Sequence, residues 1–430
     1  MSMNALALTG LVLMFLFMLL RMPISFSMFI VGFLGLVAAA SSKAAFTVIT
    51  ADLWSQFSSY TMTVIPLYIL MGEIFFRTGM TDDLFKAAYT WVGQFKGGLA
   101  NTVILASAVF SAICGSNPAT AATIGTMAFP ELKKYKYDEP FSLGTVAAGG
   151  TLGVIIPPST VLLVIALQAE QSIRDLFVAS IIPGVILTLL MMLTVVYLCS
   201  RNPELGPSGP RTSLREKLVS LKGVVPTLLL FGFVIGGLFW GWFTPTESAA
   251  FGAFGALAMA FVLGCLTKDN LQLAVAGTIK SSTMVIMLVV GAMVFGRFLT
   301  ITRLPYAVAE WTNALEVAPV FIVLAIIGIF VIGGALMDAL GFLIIAMPIF
   351  YPTIISLGYD PVWLSIMLCI VTSAGAITPP VGVCVFVVKG LSERTPIMSI
   401  FNGAVKYLVA YAVIIALILA FPQIVTFVLS

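Results

Sequence analysis

Histidine is absent from all 430 residues, and charged side chains make up only 9% of them. Without imidazole there is no histidine metal site, no histidine-based nucleophile pair and no imidazole proton relay. A soluble domain would carry nearer a quarter charged residues. The five cysteines (Cys114, Cys199, Cys265, Cys369, Cys384) sit in apolar surroundings without a C-x-x-C pair, so they read as small buried residues. Apolar–polar alternation is missing too, which excludes a β-barrel. What is present is hydrophobic: 60% of the chain, in runs long enough (~20 residues) to cross a bilayer, recurring from Leu6 to the C-terminus. The fold class is an all-α polytopic membrane protein. Its surroundings are the lipid bilayer, and no nucleic-acid partner is expected. The first run, Ala5–Leu20, has no basic region before it and no small-residue cleavage site after it, so it reads as a retained span.

Lys and Arg concentrate in cytoplasmic loops. The stretch 200–223, "SRNPELGPSGPRTSLREKLVSLKG", holds five basic and two acidic residues, which places the linker 201–222 in the cytoplasm. Counting back through the span 176–199 and a proline-broken segment at about 141–168 returns the chain to the inside at Lys133, Lys134 and Lys136. The apolar stretch 97–130 turns at Cys-Gly-Ser-Asn-Pro, a natural hairpin tip. If it enters and leaves on one side, Arg77, Lys86 and Lys96 stay inside. The same logic gives a second hairpin at about 318–352 and a second broken segment at about 361–388, with both termini periplasmic. Each half, 1–200 and 223–430, then has about five spans and one re-entrant hairpin, and the odd number turns the second half over.

The halves match at a fixed offset of 222. Pro130 falls on Pro352, Tyr137-Asp138 on Tyr359-Asp360, Gly153 on Gly375, and Pro157-Pro158 on Pro379-Pro380. The basic loop Lys133–Lys136 falls on Ile355–Gly358, which has no charge, as expected of loops on opposite sides of a membrane. Inverted repeats with interrupted helices are the signature of a secondary transporter whose site lies near the midplane.

A broken helix frees carbonyls at one half-helix end and amide donors at the other. In lipid these must be met by protein, water or ligand. Carbonyls with Ser or Thr hydroxyls suit a small hard cation such as sodium, and half-helix N-termini suit an anion. The first sodium cluster is expected from Gly115, Ser116 and Asn117 facing Thr151, Gly153, Ile155 and Pro157. At offset 222 the tip Ser116 falls on Asp338, so the second is expected from Gly333, Gly334 and Asp338 facing Thr372, Ser373, Gly375 and Ile377. Substrate is expected between them, against Ser116, Asn117, Pro158, Ser159 and Pro380. No cofactor and no other metal are expected. An acid at membrane depth is costly, which marks Asp338 as functional. Each feature also has a structural reading: a Pro-Pro kink alone, a tight turn at Ser116-Asn117, and a helix cap at Asp338. Thr244, Pro245 and Glu247 form a capping-box pattern. Glu73 and Arg77, one turn apart, read as a solvated pair rather than a substrate clamp.

The pieces "RMPISFSM", "IPLYILMGEIF", "CGSNPATAATIGTMAFPEL", "GGTLGVIIPPS", "FTPTESAAFGA" and "AITPPVGVCVFVV" together resemble the large membrane subunit of tripartite ATP-independent periplasmic (TRAP) transporters, over nearly the whole chain. The resemblance implies a bacterial inner-membrane protein that moves organic acid anions inward on a sodium gradient. It also implies an elevator motion of hairpins and broken helices past a scaffold. The implied partners are a small four-helix membrane subunit (Q type), as a separate polypeptide, and a periplasmic substrate-binding protein. Members often read Ser-Gly-Ser at the first tip; here it is Cys114-Gly115-Ser116, one hydroxyl fewer. Two other readings stand beside this one. A self-sufficient sodium–carboxylate symporter would need no binding protein. An intramembrane aspartyl protease would need two facing aspartates, whereas Asp360 sits at a loop beside Pro361 and its copy Asp138 in the basic loop. The chain is not expected to be an enzyme.

Overall fold

The computed structural model describes residues 2–80, 82–315 and 317–429, and every regular element among them is a helix. Six helices are long and apolar enough to cross a membrane, or up to eight if two bent pairs each count as one span. Large apolar side chains stay exposed along the outer faces, including Leu19, Leu193, Phe254 and Val262, as lipid contact requires.

Helix bounds recur at the 222 spacing to within three residues. Ile24–Ala39 pairs with Pro245–Val262, Asp82–Val92 with Leu304–Asn313, and Gly98–Cys114 with Pro319–Leu336. Asn117–Lys134 and Ala339–Ser356 coincide at both ends. The first arm differs from its counterpart. Ser42–Phe57 and Tyr60–Thr78 meet at 58°, whereas Lys268–Ile301 is one helix of 34 residues. In the first copy Ser58 Oγ donates to the Trp54 carbonyl (2.6 Å) and ends that turn, and Pro66 supplies no amide for the turn that restarts. At the second, Lys280-Ser281 and Leu288 let the helix continue.

The two expected hairpins are helix pairs joined by two residues, Gly115-Ser116 and Met337-Asp338. Gly115 takes φ +62°, a conformation open to glycine. Both proline breaks lie where the repeat placed them. Glu139–Gly150 runs into a 3-10 turn, Thr151–Val154, and resumes as Thr160–Gln168; Pro361–Gly375 resumes as Val383–Lys389. The peptide bonds Pro157-Pro158 and Pro379-Pro380 are both cis.

Three regions depart from the sequence reading. The basic stretch after Arg77 contains the helix Asp82–Val92, apolar on one face. The last span, which reads in the sequence as 407–428, begins at Ile397 and ends at Ala420, where Phe421 leaves the helix ahead of Pro422. The linker 201–222 is an ordered strap. Asp138 N–H donates to the Leu205 carbonyl (3.2 Å), Tyr137 Oη to the Pro207 carbonyl (2.5 Å), Gly209 N–H to the Gly93 carbonyl (2.8 Å) and Thr212 Oγ1 to the Thr90 carbonyl (2.7 Å). Tyr137 Oη also accepts from the first residue pair of the hairpin, at Leu99 N–H (3.1 Å). The strap ends in the helix Leu214–Ser220, closed by a capping box of Ser213 and Glu216.

Candidate functional site

Both hairpin tips open onto one cavity of about 630 Å³, within the range of small-molecule sites. Cys114, Ser116, Asn117 and Thr160 line it from the first half, and Asp338, Ala339 and Gly341 from the second. Ser25, Glu73 and Ser281 close it from neighbouring helices, and its lining contains no Lys or Arg.

The first tip is pressed against the first break. A carbon added at Gly153 would stand 2.5 Å from the Ser116 carbonyl oxygen and 2.9 Å from the Asn117 nitrogen, so only hydrogen fits there. The Gly115 carbonyl accepts from Thr160 Oγ1 (2.6 Å) and from Thr160 N–H (3.3 Å). Ser159 Oγ donates to the Val154 carbonyl (2.5 Å) while accepting from Leu162 N–H (3.2 Å), which starts the second half-helix. Cys369 Sγ reaches the same Val154 carbonyl at 3.1 Å. The Thr151 hydroxyl donates to the Ala148 carbonyl (2.5 Å) and accepts from Tyr411 Oη (2.7 Å). Ile155 and Pro157 are buried in the break.

At this tip the helix Asn117–Lys134 begins without a side-chain cap, for the Ser116 hydroxyl bonds none of its amides. Asn117 is 2% exposed, yet both its side-chain polar atoms lack partners, as does Thr120 Oγ1 one turn on. Buried polar atoms in that condition cost about 1–3 kcal/mol each. The start of a helix carries partial positive charge and free N–H donors. The tip thus presents an uncapped helix start to a cavity whose charged lining residues are the acids Glu73 and Asp338.

The second tip is built differently. Asp338 Oδ2 accepts from Leu340 N–H (3.2 Å) and caps Ala339–Ser356, so this helix start already faces a carboxylate. The expected second cluster divides. Asp338 lines the cavity beside the first hairpin, whereas Gly334 lies on the Thr372 carbonyl, where an added carbon would stand 2.6 Å away, and Gly375 packs on Gly334. Gly333 lies under the Phe342 ring. The Ala335 carbonyl accepts from Val381 N–H (3.0 Å) and Gly382 N–H (3.1 Å), two residues before the position equivalent to Gly115. Asp338 lines the cavity all the same, as its equivalent Ser116 does at the first tip. Thr372 Oγ1 bonds its own Leu368 carbonyl, Ile377 is buried, and Ser373 Oγ, at the position equivalent to Thr151, is buried without a partner.

The prolines also differ. Pro157 and Pro158 are buried against the first tip, whereas Pro379 and Pro380 are exposed. Of the residues expected to touch substrate, Ser116 and Asn117 line the cavity; Pro158, Ser159 and Pro380 do not. Glu73 forms the expected pair with Arg77 (3.3 Å), but it is not a solvated bystander, because it also lines the cavity. Tyr411 was not legible as a site residue; a lone hydroxyl in an apolar span was its signal. At the start of the helix Pro245–Val262 the capping box of Thr244 and Glu247 forms.

The sequence matches the family described as "Tripartite ATP-independent periplasmic transporter, DctM component" over residues 11–424. It is 34% identical over 366 residues to the C4-dicarboxylate TRAP transporter large permease protein of Pseudomonas aeruginosa, covering 85% of each chain. It is 29% identical over 403 residues to the sialic acid TRAP transporter large permease protein of Vibrio cholerae, covering 94% of this chain and 93% of that one. It is 32% identical over 382 residues to the isethionate TRAP transporter permease protein DctMQ of Oleidesulfovibrio alaskensis, covering 88% of this chain and 59% of that one. Among solved structures, the Alcanivorax borkumensis YdaH transporter shares the fold, with TM-score 0.64, 15% identity, and coverage of 88% of this chain and 90% of that one. Its helical spans and these matches agree: the chain belongs to the DctM component family of TRAP transporters, multi-pass inner-membrane permease subunits and not enzymes.

Proposed function

We propose that this chain is the transport subunit of a sodium-coupled uptake system for an organic acid anion, delivered by a periplasmic binding protein. The observation that carries the reading is the uncapped helix start at Asn117. Asn117, whose side-chain polar atoms are buried without partners, belongs to the lining of a cavity without Lys or Arg, and the helix it starts has no side-chain cap. A carboxylate or sulfonate seated there would accept from the free amides. The named relatives act on C4-dicarboxylates, sialic acid and isethionate, all acids. A small hard cation suits the oxygen-rich breaks beside Ser116 and Ser373. The unpartnered Ser373 hydroxyl supports a site there, as the close seating of Ser116 on Gly153 supports one at the first break.

Hairpins and breaks of both halves would move as one body, in the manner of an elevator. Bonds between the halves support this: Tyr407 Oη with Thr145 Oγ1 (2.7 Å), Tyr411 with Thr151, and Thr395 Oγ1 to Glu139 (2.8 Å). The recurrence of helix bounds, with the basic loop Lys133–Lys136 falling on an uncharged copy, supports inverted halves, re-entrant hairpins, periplasmic termini and a cytoplasmic strap. The tripartite family and the DctMQ name of one relative support a small membrane subunit as the third part.

The test is uptake of labelled organic acid into proteoliposomes holding the chain, the small subunit and substrate-loaded binding protein. Uptake should require all three and an inward sodium gradient. Uptake by the chain alone would overturn the reading in favour of a self-sufficient symporter.

A further inference from the structure

The helix that ends the strap faces away from the transport cavity. Leu214–Ser220 continues through the turn Leu221–Gly223 and meets the span Val225–Phe239 at 68°. A span tilts by only about 20° from the bilayer normal on average, so this helix lies close to the membrane plane. At 100° per residue, Leu214, Leu218 and Leu221 share one stripe, and Arg215 and Lys222 share the stripe beside it. Leu214 is 77% exposed and Leu218 58%, an unusual cost for a helix lying in water.

The charge on this helix is one-sided. Arg215, Lys217 and Lys222 on it, with Arg211 just before it, outnumber its one acid, Glu216, and Asp83 of the neighbouring helix, beside Gly223, is paired with Lys86 (3.3 Å). Glu216 is already engaged, because its Oε2 accepts from Ser213 N–H (2.6 Å) and Ser213 Oγ (2.9 Å). Among the described residues, Arg215 and Lys222 form no ion pair. The helix is anchored from below: Trp91 Nε1 donates to the Lys217 carbonyl (3.2 Å), and the partly exposed Trp91 ring sits at the same level. Exposed leucines flanked by free cations, with an indole beside them, are the composition of an interfacial helix.

We propose that the helix 214–223 is a docking surface for anionic phospholipid, its leucines in the acyl boundary and Arg215 and Lys222 on the headgroup phosphates of the adjoining leaflet. Charge complementarity favours this occupant over zwitterionic lipid, because near an anionic surface each basic side chain adds attraction that a neutral leaflet does not supply.

The test uses the full chain in detergent, titrated with phosphatidylglycerol or with phosphatidylcholine of the same acyl chains, and reads bound lipid by native mass spectrometry. Arg215→Gln with Lys222→Gln should weaken phosphatidylglycerol retention roughly thirtyfold and leave phosphatidylcholine unchanged. Lys222→Gln alone should cost roughly fivefold, and serves if the double variant folds poorly. Unchanged phosphatidylglycerol retention in the variants would overturn the proposal. Loss of the co-expressed small subunit from the double variant, with lipid retention intact, would overturn it in favour of a protein contact.

Discussion

Replacing Gly153 by alanine should disable transport while leaving the chain folded. The added carbon would lie 2.5 Å from the Ser116 carbonyl oxygen, 2.6 Å from its carbon and 2.9 Å from the Asn117 nitrogen. All three are backbone atoms, so no side chain can swing aside. Restoring an ordinary contact of 3.4 Å requires the first tip and break to separate by about 0.9 Å, a repacking of roughly 1–3 kcal/mol. A chain of this size can absorb such a cost, but a misplacement of about 1 Å at a reacting or binding site can cost around a hundredfold in rate. Uptake should therefore fall by roughly ten- to a hundredfold, with thermal unfolding in detergent shifted only slightly. Gly232→Ala is the matched control, because nothing lies within 4 Å of its added carbon; it should leave both uptake and stability at least unchanged. Wild-type uptake and sodium dependence in Gly153→Ala would refute the tight seating of tip on break.

Other residues give separate checks. Tyr411→Phe removes the donor to Thr151 Oγ1, so it should cost about 1 kcal/mol of stability and raise the sodium concentration for half-maximal uptake severalfold; an unmoved sodium curve would remove Tyr411 from the site. Asp338→Asn should keep the helix cap and its stability but weaken sodium activation, whereas Asp338→Ala should lose the cap as well, about 1 kcal/mol; unchanged sodium activation in Asp338→Asn would leave Asp338 a cap alone. The Thr395 hydroxyl, with Lys133 behind it, holds the Glu139 carboxyl below its ordinary 4.5. A carboxyl so lowered stabilises the fold above that value and stops doing so as pH falls through the depressed one. Unfolding midpoints of the wild type and Glu139→Gln should thus differ at neutral pH, and the gap should shrink as pH falls below the ordinary value and through the depressed one; a constant gap would refute it.

The breaks and hairpin turns could be read in the sequence because their marks are covalent: prolines without amide donors, glycines without Cβ, and their spacing of 222. Helix ends at Asn117 and Ala339 follow from that register. What could not be read is contact geometry. The two-residue shift that pairs Ala335, rather than Met337, with the second half-helix depends on how two backbones meet. Glu73 was visible as an acid in an apolar run, but its pairing with Arg77 gave a sufficient local account, so nothing local revealed the cavity beside it. Tyr411 lies 260 residues from Thr151, beyond any local pattern. Helix 82–92 is only half apolar, so its amphipathic period was hidden among charges that served only to place the stretch on one side.

The strap after Arg201 has a practical consequence for editing the chain. Polar, glycine- and proline-rich connections are normally the places where a protein accepts extra sequence. Here the backbone of Leu205, Pro207, Gly209 and the side chain of Thr212 are each bonded to a different neighbour within eight residues. Its length is therefore matched to the span it covers. A tag, a protease site or a fused domain placed between Leu205 and Thr212 would break a clasp.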